Sequence, residues 1–294
     1  MKTLLTDCSQ HKLEWLRLRA TGITASDVPT VLGLNPWKTR YSLWQEKRRG
    51  LEGIFEDIDN EAMYWGRALE APVATAVSEK LGLELTTPDA LYQHDTLPLL
   101  ATPDRLIEGR EPLEIKTAGE RYRDQWEAGL ADYAHCQLSA QMIVLDASYG
   151  IAAALVGGQK LYVYRIERDP VLDEQIGAAV KEFWVLVESN TPPALDAGDL
   201  EAVKEAHPEV SEEVLELGDS QLELIQAINA AKTTIAEGNR AKQLAEAQLL
   251  QFLGNARGAR GGQWEVARIR RTRKSYTTKP SSYIEMKIKE LKNG

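Results

Sequence analysis

Two carboxylates and an ammonium stand close together in LLATPDRLIEGREPLEIKT, residues 99–117. Leu113, Ile115 and Thr117 alternate with Glu114 and Lys116, the period-two spacing of a strand that buries one set and projects the other from a single face. Ten residues before Glu114, Asp104 follows Pro103 where an apolar run breaks. A hairpin turning through Glu108-Gly109-Arg110 would lay two short strands together and bring Asp104 beside Glu114 and Lys116. Hard divalent cations such as Mg²⁺ take carboxylate oxygens, and a lysine beside such an ion can orient or deprotonate water. Metal-assisted hydrolysis is the chemistry this grouping suits. The Glu-x-Lys spacing is not specific by itself, because Glu285-Met286-Lys287 repeats it with neither a strand pattern nor a preceding Asp. A solvated strand face carrying a salt bridge would read the same way.

With 294 residues and 43% hydrophobic content, the chain can bury a large core, as one big domain or as a domain with an appendage. No basic-apolar-small leader opens it and no apolar run approaches the ~18 residues of a membrane span, so a cytoplasmic location is expected. Cys8 and Cys136 fall in no CxxC or Cys/His pattern, which leaves oxygen ligation for any metal. The net charge of −9 divides unevenly: residues 255–294 carry eleven Lys/Arg against three Asp/Glu, a balance of +8, leaving −17 on residues 1–254. A basic tail on an acidic body suits either solubilisation or contact with nucleic acid.

The elements that must position these groups follow from periodicity. Residues 11–20 read as a helix carrying Arg19, and a Thr/Ser/Asp cluster then starts a short helix near Ser26 whose free N–H groups, with Arg19, could hold a phosphate. Residues 60–82 form a longer helix, with Met63, Ala68 or Leu69, Ala71, Val73, Val77 and Leu81 as its apolar stripe and Gly82 as its stop; Glu70 could point inward from it. Strands follow at 83–86 and 90–94. After the central hairpin, a helix over 133–145 places Gln137 and Gln141 on one face, where neutral amides can bond a phosphate or a metal-bound water. Strands 149–156 and 160–166 flank Gly157-Gly158-Gln159, and a helix over 173–189 stops before Thr191-Pro192-Pro193, which sets a core of 1–195. In 196–294, an imperfect heptad run through Leu217–Phe252 reads as a long helix or helical hairpin. A strand pair over 263–274 would carry Arg268, Arg270, Arg271, Arg273 and Lys274, with Trp264 and Tyr276 interleaved, a ribbon suited to phosphates and unstacked bases.

Taken in order, Arg19 with Ile23 to Ser26, Gly66 to Glu70, Pro103-Asp104, Glu114-Ile115-Lys116 and the glutamine-bearing helix resemble the PD-(D/E)XK nucleases of the lambda exonuclease and YqaJ viral recombinase type, over roughly residues 11–190. The resemblance implies a restriction-endonuclease-like α/β core, a mixed central sheet flanked by helices. It implies that Asp104, Glu114 and the Ile115 carbonyl bind metal, Mg²⁺ with Mn²⁺ able to substitute, as two ions, with Glu70 reaching a metal or its water. Lys116 would activate the attacking water, Arg19 with Ser26 would grip a 5′ phosphate, and Thr102 lies where related enzymes place a phosphate-contacting hydroxyl. Ser139 departs from the pattern, standing where many relatives have another glutamine. The implied activity is 5′-to-3′ exonuclease action on double-stranded DNA ends, leaving 3′ overhangs for a single-strand annealing protein in phage-type recombination. A homo-oligomeric ring is implied with it. An endonuclease of restriction or repair type is the rival within the enzyme class, and a noncatalytic DNA-end-binding scaffold the rival outside it.

Overall fold

The computed structural model describes residues 1–55 and 60–269. Its contacts divide the chain into a unit Met1–Ala206 and a second unit from His207. The first unit opens with β1 (Lys2–Thr6), α1 (Lys12–Arg19), β2 (Ile23–Thr24), α2 (Val28–Val31), α3 (Arg40–Leu51) and α4 (Glu61–Leu81). Its middle holds β3 (Leu85–Thr86), β4 (Ala90–Gln93), β5 (Leu99–Ala101), β6 (Arg105–Ile107), β7 (Glu111–Ala118) and α5 (Arg123–Ala128). It closes with α6 (Asp132–Leu145), β8 (Tyr149–Val156), β9 (Lys160–Glu167), α7 (Pro170–Glu188) and α8 (Leu200–Ala206). The strands form two mixed sheets, one in the order β1-β4-β5-β2 and one in the order β3-β6-β7-β8-β9. Among the described residues no helix is long and apolar enough to cross a membrane.

The stretch 99–117 holds three strands rather than the two expected. Pro103 has no N–H to give to a ladder, and the chain passes there from the first sheet, where β5 lies, into the second, where β6 begins. Asp104 therefore sits in the gap between sheets. The turn from β6 to β7 has the anticipated form: Glu108 (φ 50°) and Gly109 (φ 79°) are both left-handed, and Arg110 N–H closes on the Ile107 carbonyl at 3.1 Å. Two consecutive positive φ values mark a type I′ turn, whose twist matches that of the strands it joins. The register pairs Arg105 with Leu113 and Ile107 with Glu111, so Asp104 falls opposite Glu114.

Strand β7 has one apolar face and one polar face. Leu113 and Ile115, with Ile151 and Ala153 of β8, pack under Val73, Ala74 and Val77 of α4. Glu114 and Lys116 turn the other way, level with Ala152 and Ala154 in the parallel register, and this is the face that α6 covers. Small residues let that helix come down close. A Cβ added at Gly150, two residues before Ala152, would lie 2.7 Å from a methyl of Leu138 on α6.

Several boundaries differ from expectation. Only Val73, Ala74 and Val77 of α4 are buried, whereas Met63 and Leu81 are 46% and 42% exposed. The sheet is the reason: β7 ends at Ala118, Gly66 already lies over Thr117, and the first turns of α4 run past the sheet edge. Helix α7 starts earlier than 173, because Asp169 caps it through Val171 N–H at 2.9 Å and Pro170 fits the first helical turn. The first unit extends to Ala206 rather than to 195, with Asp199 buried and Gln45 donating to the Ala202 carbonyl at 3.5 Å. In the second unit the long helix is continuous as α9 (Asp219–Leu253), followed by a ribbon of β10 (Gly258–Gly261) and β11 (Trp264–Ala267). That ribbon begins ahead of the 263–274 span expected for it, and only its second strand falls within that span. Arg268 donates to the Gly254 carbonyl, and Arg270, Arg271, Arg273, Lys274 and Tyr276 lie outside the described residues.

The close seating of α6 is testable. Gly150→Ala drives a methyl into Leu138, and overpacking of this kind costs about 1–3 kcal/mol, so denaturant unfolding should show a loss of that size. An unchanged midpoint would mean that α6 has room to spare.

Candidate active site

Glu114 is 3% exposed, and a carboxylate that deep requires partners. It has three. Gln137 donates to Oε1 at 2.6 Å, Gln141 donates to Oε2 at 2.6 Å, and the Lys116 ammonium lies 2.7 Å from Oε1. Lys116 also donates to Gln137 Oε1 at 2.8 Å. The two glutamines are thus not surface residues: one turn apart on α6, they clamp both oxygens of one carboxylate. Ser139 is buried but lies about 200° around the helix from Gln137, turned away from Glu114.

Asp104 joins the group from the gap between sheets, where its Oδ2 accepts the Ile115 N–H at 2.7 Å. The ladder with β6 stops at Leu113, and a strand residue directs its own N–H and C=O to the same side, so the Ile115 carbonyl aims into the same gap. Burial pushes the Asp104 carboxyl well above its ordinary value, and the negative charges of Glu114 and Glu70 push it further. Lys116 responds oppositely. Burial pulls its ammonium down, but the charge and hydrogen bond of Glu114 outweigh this and hold it above its usual range.

Glu70 sits at the same cluster through an intermediary. Its Oε1 is paired with the Arg105 guanidinium, which also donates to the Asp104 carbonyl. Arg105 was not foreseen. It points to the α4 face because it pairs with Leu113, and the charge on a strand otherwise buried was its only signal. Among the described residues no group of three or more His, Cys, Asp or Glu gathers about one point; the close pair is Asp104 and Glu114, with Glu70 held off by Arg105. Two features fit a hard divalent cation at that pair. Asp104 is destabilised as an anion by burial and by the negative charge of Glu114 and Glu70, which Lys116 and the Ile115 N–H only partly offset, and Gln141 Oε1 is buried without a hydrogen-bond partner, an oxygen acceptor beside the carboxylates.

A cleft of about 190 Å³ opens onto this cluster, lined by Trp15, Arg19, Thr24, Ala25, Ser26, Thr102, Asp104, Gln137 and Gln141. Arg19 reaches Ser26 Oγ at 3.3 Å, its guanidinium lies over the Trp15 ring at 4.4 Å, and Trp15 Nε1 reaches Thr102 Oγ1 at 3.4 Å. The structure thus brings the side chains named from the sequence to one cleft, on a different support from the one expected. Helix α2 is a single turn without a side-chain cap. Its N–H groups are already used, by Thr24 O for Asp27 and Ala25 O for Val28, and Pro29 has none. What holds the wall of the cleft is a buried ion pair. Asp27 Oδ2 lies 2.7 Å from Lys47 Nζ and accepts from Thr24 N–H and Oγ1 at 3.0 and 2.7 Å, while Lys47 donates to the Arg19 carbonyl at 3.1 Å. Burial opposes the Asp27 anion, yet Lys47, Lys38 and Arg19 hold its carboxyl below the ordinary range. The pairing itself has no local signal in the sequence, since Asp27 lies just before α2 and Lys47 twenty residues on, in α3.

The raised Asp104 carboxyl makes the site a measurable liability. A group held above its unfolded value supports folding fully below about pH 4 and loses that support as pH rises through its folded value. Asp104→Asn should consequently raise the melting temperature in EDTA at neutral pH, by about 2–4 °C per kcal/mol relieved, with the gain vanishing toward pH 4. A variant less stable than wild type at neutral pH would contradict the charge assignment.

Residues 14–148 match the model of the YqaJ-like viral recombinase domain, a span that holds every residue lining the cleft. The uncharacterized protein YqaJ of Bacillus subtilis (strain 168) is 34% identical over 253 residues, covering 83% of this chain and 79% of that protein. Among solved structures, the alkaline exonuclease LHK-Exo of Laribacter hongkongensis aligns with a TM-score of 0.52 at 21% identity, over 67% of this chain and 99% of its own. LHK-Exo in complex with dAMP aligns with a TM-score of 0.53 at 22% identity, over the same shares of both chains. The fold is accordingly the restriction-endonuclease-like one, with mixed sheets between helices. With its cleft-forming segment matched throughout and a third of its residues shared with YqaJ over most of both lengths, the chain belongs to the YqaJ-like viral recombinase family.

Proposed function

We propose that this chain is a Mg²⁺-dependent exonuclease that removes nucleotides from the 5′-ended strand at double-stranded DNA ends. It leaves 3′ overhangs for a single-strand annealing protein in phage-type recombination, and works in the cytoplasm as a homo-oligomeric ring. Family and fold support a nuclease role. The observation that supports the finer reading is that Arg19, Ser26 and Thr102, side chains suited to an anion, line the same small cleft as the Asp104 carboxylate. A duplex interior offers diesters throughout, whereas a grip of this kind favours the extra charge of a terminal phosphate.

Asp104, Glu114 and the Ile115 carbonyl would hold the ions, Mg²⁺ or Mn²⁺, with Glu70 at the Arg105 side. Ions bound there would supply a more acidic water and positive charge facing the reacting phosphate. Gln137 and Gln141 fix the Glu114 carboxylate. Lys116, held as an ammonium beside Glu114, donates: it orients water and faces the charge that develops on phosphate, and abstracts a proton only after losing its own. Arg19, Ser26 and Thr102 keep the strand end in register with this chemistry.

Two outcomes follow. Lys116→Ala should slow hydrolysis of linear duplex by about 10²–10⁴ while a mobility-shift assay in EDTA shows DNA still bound; near-normal turnover would remove this site from catalysis. Wild-type protein should digest 5′-phosphorylated duplex faster than the 5′-hydroxyl form at one salt concentration, and Arg19→Ala should erase most of that difference. Equal wild-type rates on the two ends would sink the phosphate grip and leave the carboxylate site standing.

A further inference from the structure

Trp37 is 64% exposed, yet the backbone that carries it is held in place. Asn35 Oδ1 accepts its N–H at 2.9 Å, and Asn35 is itself tied to Thr30 Oγ1 at 2.8 Å. On the far side Lys38 pairs with Glu46, and Thr39 caps α3 by accepting Ser42 N–H at 3.1 Å. The indole meets Tyr133 edge-on, with ring centroids 5.1 Å apart, and Tyr133 meets the buried Trp126 in the same manner at 6.4 Å. A row of rings thus runs from the core to the surface and ends in a rigid aromatic with solvent on it.

The row stands at the site. Tyr133, Gln137 and Gln141 are spaced four apart and share one stripe of α6. Tyr133 interacts with the charges of Lys116 and Glu114, and the two glutamines line the cleft. From Gln141 to Tyr133 is eight residues, about 12 Å along the helix, the reach of a few nucleotides at about 3.4 Å of rise per stacked step. A strand whose terminal phosphate lies at Arg19 and Ser26 and which passes the carboxylates would therefore bring a base a few positions inward against Trp37.

We infer that Trp37, backed by Tyr133, is a stacking platform for one nucleobase of the strand being degraded, and that it sets how far from the end that strand is gripped. Aromatic platforms accept any base, since every base has a π face, and their removal weakens binding measurably. The inference rests on the nuclease reading above, and it adds a subsite that the carboxylates and the phosphate grip do not supply.

The test is an abasic scan. A 5′-phosphorylated duplex is made in a series with one abasic residue at the second, third, fourth or fifth nucleotide of the 5′-ended strand, and its affinity is measured in EDTA for wild type, Trp37→Ala and Trp37→Phe. Wild type should lose affinity at one position in particular, about tenfold. Trp37→Ala should bind intact duplex with that same loss and show no further loss at that position, while Trp37→Phe keeps most of the wild-type affinity. Melting curves matching wild type would show that the exposed substitution leaves the fold intact. Wild-type binding and Mg²⁺-dependent digestion with Trp37→Ala equal to wild type on intact duplex would overturn the platform alone, as would an Ala variant equally sensitive to every abasic position. A wild-type protein that neither binds nor digests any duplex would overturn the nuclease reading, and the platform with it.

Discussion

A single buried anion, the Glu114 carboxylate, sets terms for everything around it. Left alone at that depth an ionised carboxylate costs several kcal/mol, so it must be surrounded by donors before the sheet can close. Lys116 can supply one because it is two residues along the same strand face. The other two come from α6, and they reach only because Gly150, Ala152 and Ala154 leave no bulk between helix and sheet. The packing of the second sheet and the polarity of its site are one problem with one solution.

Glu114 is satisfied, and its neighbour is not. Asp104 accepts one backbone N–H, but burial and the negative charge of Glu114 and Glu70 outweigh that bond and the nearby Lys116. Arg105 offsets part of this from the α4 side. Such an arrangement stores electrostatic strain that a dication would relieve, which is how functional sites commonly differ from the rest of a fold. The anion grip follows the opposite rule. Its scaffold, Asp27 with Lys47, is fully paired and buried, so Arg19 and Thr24 are held while the tips of Arg19 and Ser26 remain in the cleft. One wall is rigid and neutralised, the other carries a buried carboxyl held well above its ordinary value.

Much of this was legible because it is local. The hairpin rests on period-two alternation and on Glu108-Gly109, a pair able to take the left-handed values of a type I′ turn. Gly82 ends α4 with φ 66°, and Gln137 and Gln141 share a face by spacing alone. What escaped was non-local. Nothing in residues 99–107 says that two sheets meet at Pro103-Asp104, nothing near Glu70 announces Arg105, and the Asp27–Lys47 pair joins residues with no shared motif. The apolar stripe of α4 misled at its ends because periodicity shows which face is apolar but not how far the sheet beneath it extends. The cap-like Thr-Ala-Ser-Asp run misled similarly: its Asp side chain turned to Lys47 and Thr24 rather than to a helix terminus.

If Arg19, Ser26 and Thr102 grip a phosphate as proposed, their sharing one cleft with Asp104 would favour the end of a duplex over its interior. Competing uses of the same core, internal cutting or end binding without hydrolysis, need no such coincidence. The most direct measurement is digestion of one DNA sequence as a covalently closed circle and as a linear duplex, the latter labelled at either end of one strand, with Mg²⁺ and again with EDTA. The account predicts an intact circle, loss of the 5′-ended strands of the linear form while the 3′-ended strands persist, and no digestion in EDTA. Nicking or linearisation of the circle, or digestion that continues in EDTA, would contradict it.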